Sequence, residues 1–141
     1  GLTMEYLETK GVPVIGYETD VLPAFYTRRS DYPVNFRADE VETIANTLKA
    51  KWDLNLQGGA VIANPIPEEH AMPEEVINTA IASALKEADD KGIAGKDTTP
   101  FLLGKIKEIT AGKSLDSNIA LVKNNAVLGA KLAVELQNLN K

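Results

Sequence analysis

Apolar residues along this chain recur in two rhythms, and each rhythm predicts an element. Val12-Pro13-Val14-Ile15-Gly16-Tyr17 is a short β-branched run, the pattern of a buried strand. Val41, Ile44, Ala45, Leu48 and Trp52 then fall on one face at helical spacing. Asp39, with Glu42 three residues on, has the form of a capping box opening that helix. Gly58-Gly59 leads into Ala60-Val61-Ile62-Ala63, a second buried strand stopped by Pro65 and Pro67. Strand, helix and strand with short joints make a βαβ unit, for which a right-handed crossover is expected.

The flanking segments read mostly as helix. Residues 3–10 predict a short helix ended by Gly11, with Pro13 just beyond. Residues 18–37 read as an irregular loop with Pro23, Pro33 and the adjacent Arg28 and Arg29, a length of loop that more often carries function or an interface. Pro73 suits the first turn of a helix whose buried stripe is Ile77, Ala80, Ile81, Ala84, Leu85 and Ala88, with Gly92 as its C-terminal cap. Thr99-Pro100 opens a further helix through Leu102, Leu103, Ile106 and Ile109, ended by Gly112. The last helix is expected from Asp116 or Ser117 to about Leu139, with Ile119, Val122, Ala126, Ala130, Ala133 and Leu136 as most of its apolar face.

Two strands against four or five helices leave the sheet under-built for its cover. A two-stranded parallel sheet is not a stable layer alone, so further strands are expected outside the chain. The predicted class is α/β, three-layer α/β/α with a mainly parallel sheet that is incomplete in this chain. Composition narrows the partners. At 141 residues one domain is expected. The formal charge of -5 gives no basis for general nucleic-acid or acidic-membrane binding, which needs concentrated Lys and Arg. With no cysteine, disulfides, thiolate catalysis and Cys-based zinc sites are excluded. No apolar run reaches the roughly 20 residues that span a bilayer, and a cytoplasmic location is expected. The opening Gly1 suggests a processed, engineered or partial sequence.

Candidate chemistry concentrates in Ala111-Gly112-Lys113-Ser114-Leu115-Asp116-Ser117-Asn118, leading on to Asn124-Asn125. Gly112-Lys113-Ser114 invites a phosphate-loop reading. That loop needs a glycine five residues earlier and a preceding strand, but position 107 is Lys107 and the preceding segment is helical. His70, the sole histidine, lies in Pro67-Glu68-Glu69-His70, where neighbouring side chains on a turn rarely converge on one metal ion. Lys113 is the best placed lysine for a Schiff base, yet nothing in the sequence desolvates it. Asn118 and Asn125 share one helix face. Either they bond to solvent or a neighbouring loop while Asp116 or Ser117 caps the helix, or Asn118 offers its amide to the polar edge of a flat heterocycle.

Five ordered blocks together resemble one family. They are Tyr6-Leu7-Glu8-Thr9 with Gly11-Val12-Pro13-Val14; Gly16-Tyr17 through Pro23-Ala24-Phe25-Tyr26; Ala63-Asn64-Pro65-Ile66-Pro67-Glu68; Thr99-Pro100-Phe101-Leu102-Leu103; and Ser117-Asn118-Ile119-Ala120-Leu121-Val122-Lys123-Asn124-Asn125. The family is that of the pseudouridine-5'-phosphate glycosidases, or indigoidine synthase A-like proteins. Residues 1–141 resemble only the C-terminal half of its single domain.

The resemblance implies reversible cleavage of the C–C glycosidic bond of pseudouridine 5'-phosphate to uracil and ribose 5-phosphate. It implies a lysine Schiff base, a glutamate that moves protons and a divalent metal, manganese, held by an aspartate, in α/β/α proteins that are homotrimers. The lysine, glutamate and aspartate would all precede Gly1, so no catalytic or metal-binding residue is assigned here and the chain alone is expected to be inactive. Asn118 carries over as the residue contacting uracil, with Ser117 as a second substrate-binding position. The partners implied are the substrate, its two products and an N-terminal half, with no nucleic acid or membrane. Two alternatives remain: a non-catalytic binding fragment that needs a separate N-terminal half, and a sugar-phosphate kinase-like α/β enzyme, which lacks support without a phosphate loop.

Overall fold

The computed structural model describes residues 2–140. In chain order it contains α1 (Leu2–Thr9), β1 (Val14–Tyr17), β2 (Phe36–Ala38), α2 (Val41–Asp53), β3 (Val61–Ala63), α3 (Glu74–Asp90), α4 (Thr98–Ile109) and α5 (Lys113–Asn138). Single 3-10 turns lie at Glu68–His70 and Gly95–Asp97. The strands form one parallel sheet in the order β2-β1-β3, so the chain is α/β. β1 is central: Ile15 is in register with Phe36 on one side and Ile62 on the other. Its Gly16 is required by crowding, because a Cβ there would meet the Thr19 carbonyl oxygen at 2.1 Å.

Two apolar clusters hold the fold. The first joins the sheet to α2 and α5 through Ile15, Ala38, Ile44 and Leu48, with Leu132 and Leu136 packed against them. The second gathers Tyr26, Met72, Ile77, Ala80, Ala84 and Ile106, and it seats the α3–α4 pair on the loop that follows β1. Burying one such isoleucine completely contributes about 1.5–3 kcal/mol relative to leaving it in water. Ile44 and Ile77 are both essentially inaccessible. Lys105 of α4 bridges to Glu87 of α3 at 3.0 Å, and Lys91 reaches the same carboxylate at 2.6 Å. No helix among the described residues is long and apolar enough to cross a membrane.

Several local expectations are corrected. The stretch over residues 18–37, read as irregular, ends in a third strand, β2, which begins at Phe36. Three residues with an arginine in the middle show no alternation that sequence reading detects. The capping box does not form: α2 starts at Val41 with no side-chain cap. Asp39 instead accepts from Arg37 Nε at 2.7 Å. Leu85 and Trp52 are about half exposed, although both were placed on buried faces. Val61, read as part of a buried strand, is 36% exposed on an edge.

The largest correction concerns α5. It begins at Lys113, not at Asp116 or Ser117. Gly112 turns the chain with φ of 89°, in the left-handed region that glycine occupies without strain. The Thr110 hydroxyl then accepts the Ser114 N–H at 3.2 Å, which satisfies one of the orphan donors of the new helix. Its buried stripe is Ser114, Ser117, Leu121 and Leu128, with Leu132 and Leu136 partly buried beyond. Ile119, Val122, Ala126, Ala130 and Ala133, expected inside, are exposed; of the face that was expected, only Leu136 packs on the core.

Candidate functional site

The start of α5 carries the site. Ser114 is 1% exposed and Asn118, one turn on, is half-buried. A cavity of about 220 Å³ opens beside them, lined by Tyr26, Leu103, Gly104, Lys107, Ser114, Leu115 and Asn118. Tyr26 comes from the loop after β1, Leu103 and Lys107 from α4, and the rest of the polar wall from α5. Among the described residues no protein group hydrogen-bonds the Asn118 side chain. Its amide therefore keeps both a donor and an acceptor unengaged by protein at the cavity wall. Burial holds the Tyr26 phenol above its ordinary pKa of 10.0, partly offset by a hydrogen bond with Ser114, so it is neutral at physiological pH. Apolar walls, one unengaged amide and one neutral phenol suit a flat ring, and Lys107 adds a cationic side chain to the lining.

The other polar residues of the segment face different tasks. Ser117 is 6% exposed, and its hydroxyl donates to the His70 carbonyl oxygen at 2.8 Å. Asn124 Nδ2 donates to the Pro65 carbonyl oxygen at 3.0 Å. Asn64 Nδ2 donates to Asn125 Oδ1, also at 3.0 Å. These three bonds fasten the segment after β3 along α5. Asn125 thus takes the neighbouring-loop role, while Asn118 stands apart. Lys113 and Asp116 are exposed, and the His70 side chain is on the surface. Among the described residues no three His, Asp or Glu side chains converge to hold a metal ion.

Two other concavities exist. One of about 340 Å³ lies where β1 ends, with Glu18, Asp20 and Glu68 set against Arg28, Arg29 and Arg37. Arg28 donates to the Ile66 carbonyl oxygen, and Arg37 is paired with Asp20 and Asp39. With acids and bases in equal number and two of the arginines engaged, it has no net pull on an anion. A larger one, about 610 Å³, is an open groove by the start of β1, lined by Lys10, Pro13, Ile15, Leu48 and Leu56 among others, and none of its walls is shared with the Asn118 cavity.

The family model described as indigoidine synthase A like protein matches residues 1–135. The chain belongs to the indigoidine synthase A-like family. A family relative from Clostridium botulinum, a pseudouridine-5'-phosphate glycosidase, is 58% identical over 141 residues, all of this chain and 46% of the relative. Among solved family structures, the prealnumycin C-glycosynthase AlnA in complex with ribulose 5-phosphate superposes with a TM-score of 0.86 at 36% identity, over 99% of this chain and 46% of that one. An indigoidine synthase A-like protein from Thermotoga maritima gives 0.81 at 34% identity, over 95% and 44%. The chain thus spans about half the length of the family members it matches. Tyr26 and Ser114 were not singled out as site residues from sequence. The signal for Tyr26 lay in the Pro23-Ala24-Phe25-Tyr26 block, one of those that carry the family resemblance.

Proposed function

We propose that this chain forms part of a pseudouridine-5'-phosphate glycosidase, which reversibly cleaves the C–C glycosidic bond to give uracil and ribose 5-phosphate. The observation that carries this reading is the unengaged Asn118 amide in an apolar cavity beside a neutral phenol. Uracil offers alternating carbonyl and N–H groups along one edge, and a side-chain amide pairs with such an edge at both of its polar atoms. Ser117 supports the site from behind, by holding the turn at His70. The ribulose 5-phosphate bound by AlnA supports a sugar 5-phosphate as the other half of the substrate.

A C-glycoside has no basic leaving oxygen, so opening of the sugar and an imine electron sink on a lysine replace simple acid catalysis. Among the described residues no lysine is buried, and Lys107 and Lys113 are exposed, so none is desolvated for that role. The described residues also do not fit a divalent metal. On the family resemblance, we place the nucleophile, the proton-moving glutamate and any metal ligand in residues outside this chain, in an enzyme that is a cytoplasmic homotrimer.

The test is turnover. The purified 141-residue chain is expected to release no uracil from pseudouridine 5'-phosphate, and mixing or co-expressing it with the remaining portion of a family enzyme is expected to restore release. Appreciable turnover by the chain alone would refute the division of the site.

A further inference from the structure

Helix α5 carries two apolar stripes, and only one of them is covered. The covered stripe runs through Leu121, Leu128 and Leu132. The second is Leu115, Ile119, Val122, Ala126, Ala130 and Ala133, a series of three- and four-residue steps that keep side chains in line along a helix. Leu115 is 39%, Ile119 44% and Val122 60% exposed, and the three alanines are exposed as well. The stripe extends for about 27 Å at 1.5 Å per residue, and none of its positions is charged. A solvated helix face carries charged and polar residues. This one carries none.

Two observations say what covers it. The chain aligns over 99% of its own length with AlnA but spans only 46% of it, so more than half of that chain is available to pack on surfaces bare here. Leu115 also belongs both to the stripe and to the wall of the Asn118 cavity, so an element lying on the stripe reaches the cavity. The alanine end allows a close approach of helix axes, which depends on small side chains at the contact.

We propose that the bare stripe of α5 is the docking seam for an apolar-faced helix from the portion of the family fold that this chain does not span, and that this helix walls the Asn118 cavity on the Leu115 side. The inference rests on the reading that the site is completed by residues outside this chain.

To test it, the chain is co-expressed with a polypeptide comprising the part of the Clostridium botulinum relative that the match leaves out. Ile119→Glu and Val122→Glu break the stripe, and Lys131→Glu serves as an exposed control off it. Co-purification and hydrodynamic mass report the complex, and far-ultraviolet circular dichroism of each variant chain reports folding. Wild type and Lys131→Glu are expected to form a one-to-one complex. The stripe variants keep their helical signal and weaken the complex by about tenfold or more, since each would bury an unpaired charge. The proposal is overturned if the wild-type chain forms no complex, or if the stripe variants assemble as well as wild type. It is equally overturned if the stripe variants abolish only self-association of the chain, which would make a second copy the occupant. A complex that forms, is lost in the stripe variants and yet does not release uracil upholds the seam and counts against the function proposed above.

Discussion

Asn118 and Asn124 lie less than two turns apart on α5, and their amides meet different fates. Asn124 Nδ2 is engaged by the Pro65 carbonyl oxygen, and its neighbour Asn125 pairs with Asn64. Asn118 faces a cavity and has no protein partner among the described residues. The same side chain is thus a structural clamp in one place and an unengaged group at a cavity wall in the other. The distinction rests on whether its hydrogen-bonding capacity is already used. Asn118 is not among buried atoms left without a partner, so its amide is open to water and free to exchange that water for another partner.

Replacing each amide separates the two roles. Asn118→Ala in the assembled enzyme is expected to lower kcat/KM by about 10–100-fold, the scale of losing ~1–3 kcal/mol of base-edge recognition. The same substitution leaves the chain's own unfolding free energy within about 0.5 kcal/mol, because no protein bond is lost. Equal turnover by variant and wild type would remove Asn118 from the site. Asn124→Ala reverses the pattern on a smaller scale. It is expected to cost about 1 kcal/mol in urea denaturation by leaving the Pro65 carbonyl unpaired. An unchanged denaturation midpoint would show that the clamp contributes nothing.

The smallest effect is expected in the α3–α4 pair, which neither amide touches. Lys91, and then Lys105, hold the Glu87 carboxyl below its ordinary value of 4.5. A carboxyl lowered in the folded state contributes stability that is complete above that ordinary value and is lost as acid carries the pH down through the lowered one. Glu87→Gln removes this contribution. Denaturation curves of variant and wild type should therefore differ slightly at neutral pH and converge in acid, and a gap that persists in acid would assign the effect to packing.

The legible part of the fold was the part with a single, unambiguous period. The β1 run was readable as a short continuous apolar stretch buried on both faces, and the stripe of α3 with its glycine stop because one helix face is apolar and the other is not. β2 was invisible, since Phe36-Arg37-Ala38 is too short to show a period and is held by its pairing with β1. The face of α5 was misread for the opposite reason. It has two apolar stripes, and periodicity ranks them without saying which one the rest of the chain covers. Its start was misread because the cap comes from Thr110, on the far side of Gly112, and not from an adjacent serine or aspartate. Asn118 stood out in the sequence as an amide in an apolar helix. Its cavity did not, because Tyr26 and Leu103 are brought to it only by the packing of α4 and the loop after β1.

Thr110 itself has a mechanical consequence. Its hydroxyl donates to the Ile106 carbonyl oxygen at 2.8 Å, at the close of α4, and accepts the Ser114 N–H at the opening of α5. One side chain therefore bonds to both helix ends and ties the two arms of an elbow, with Leu103 on one arm and Asn118 on the other lining a single cavity.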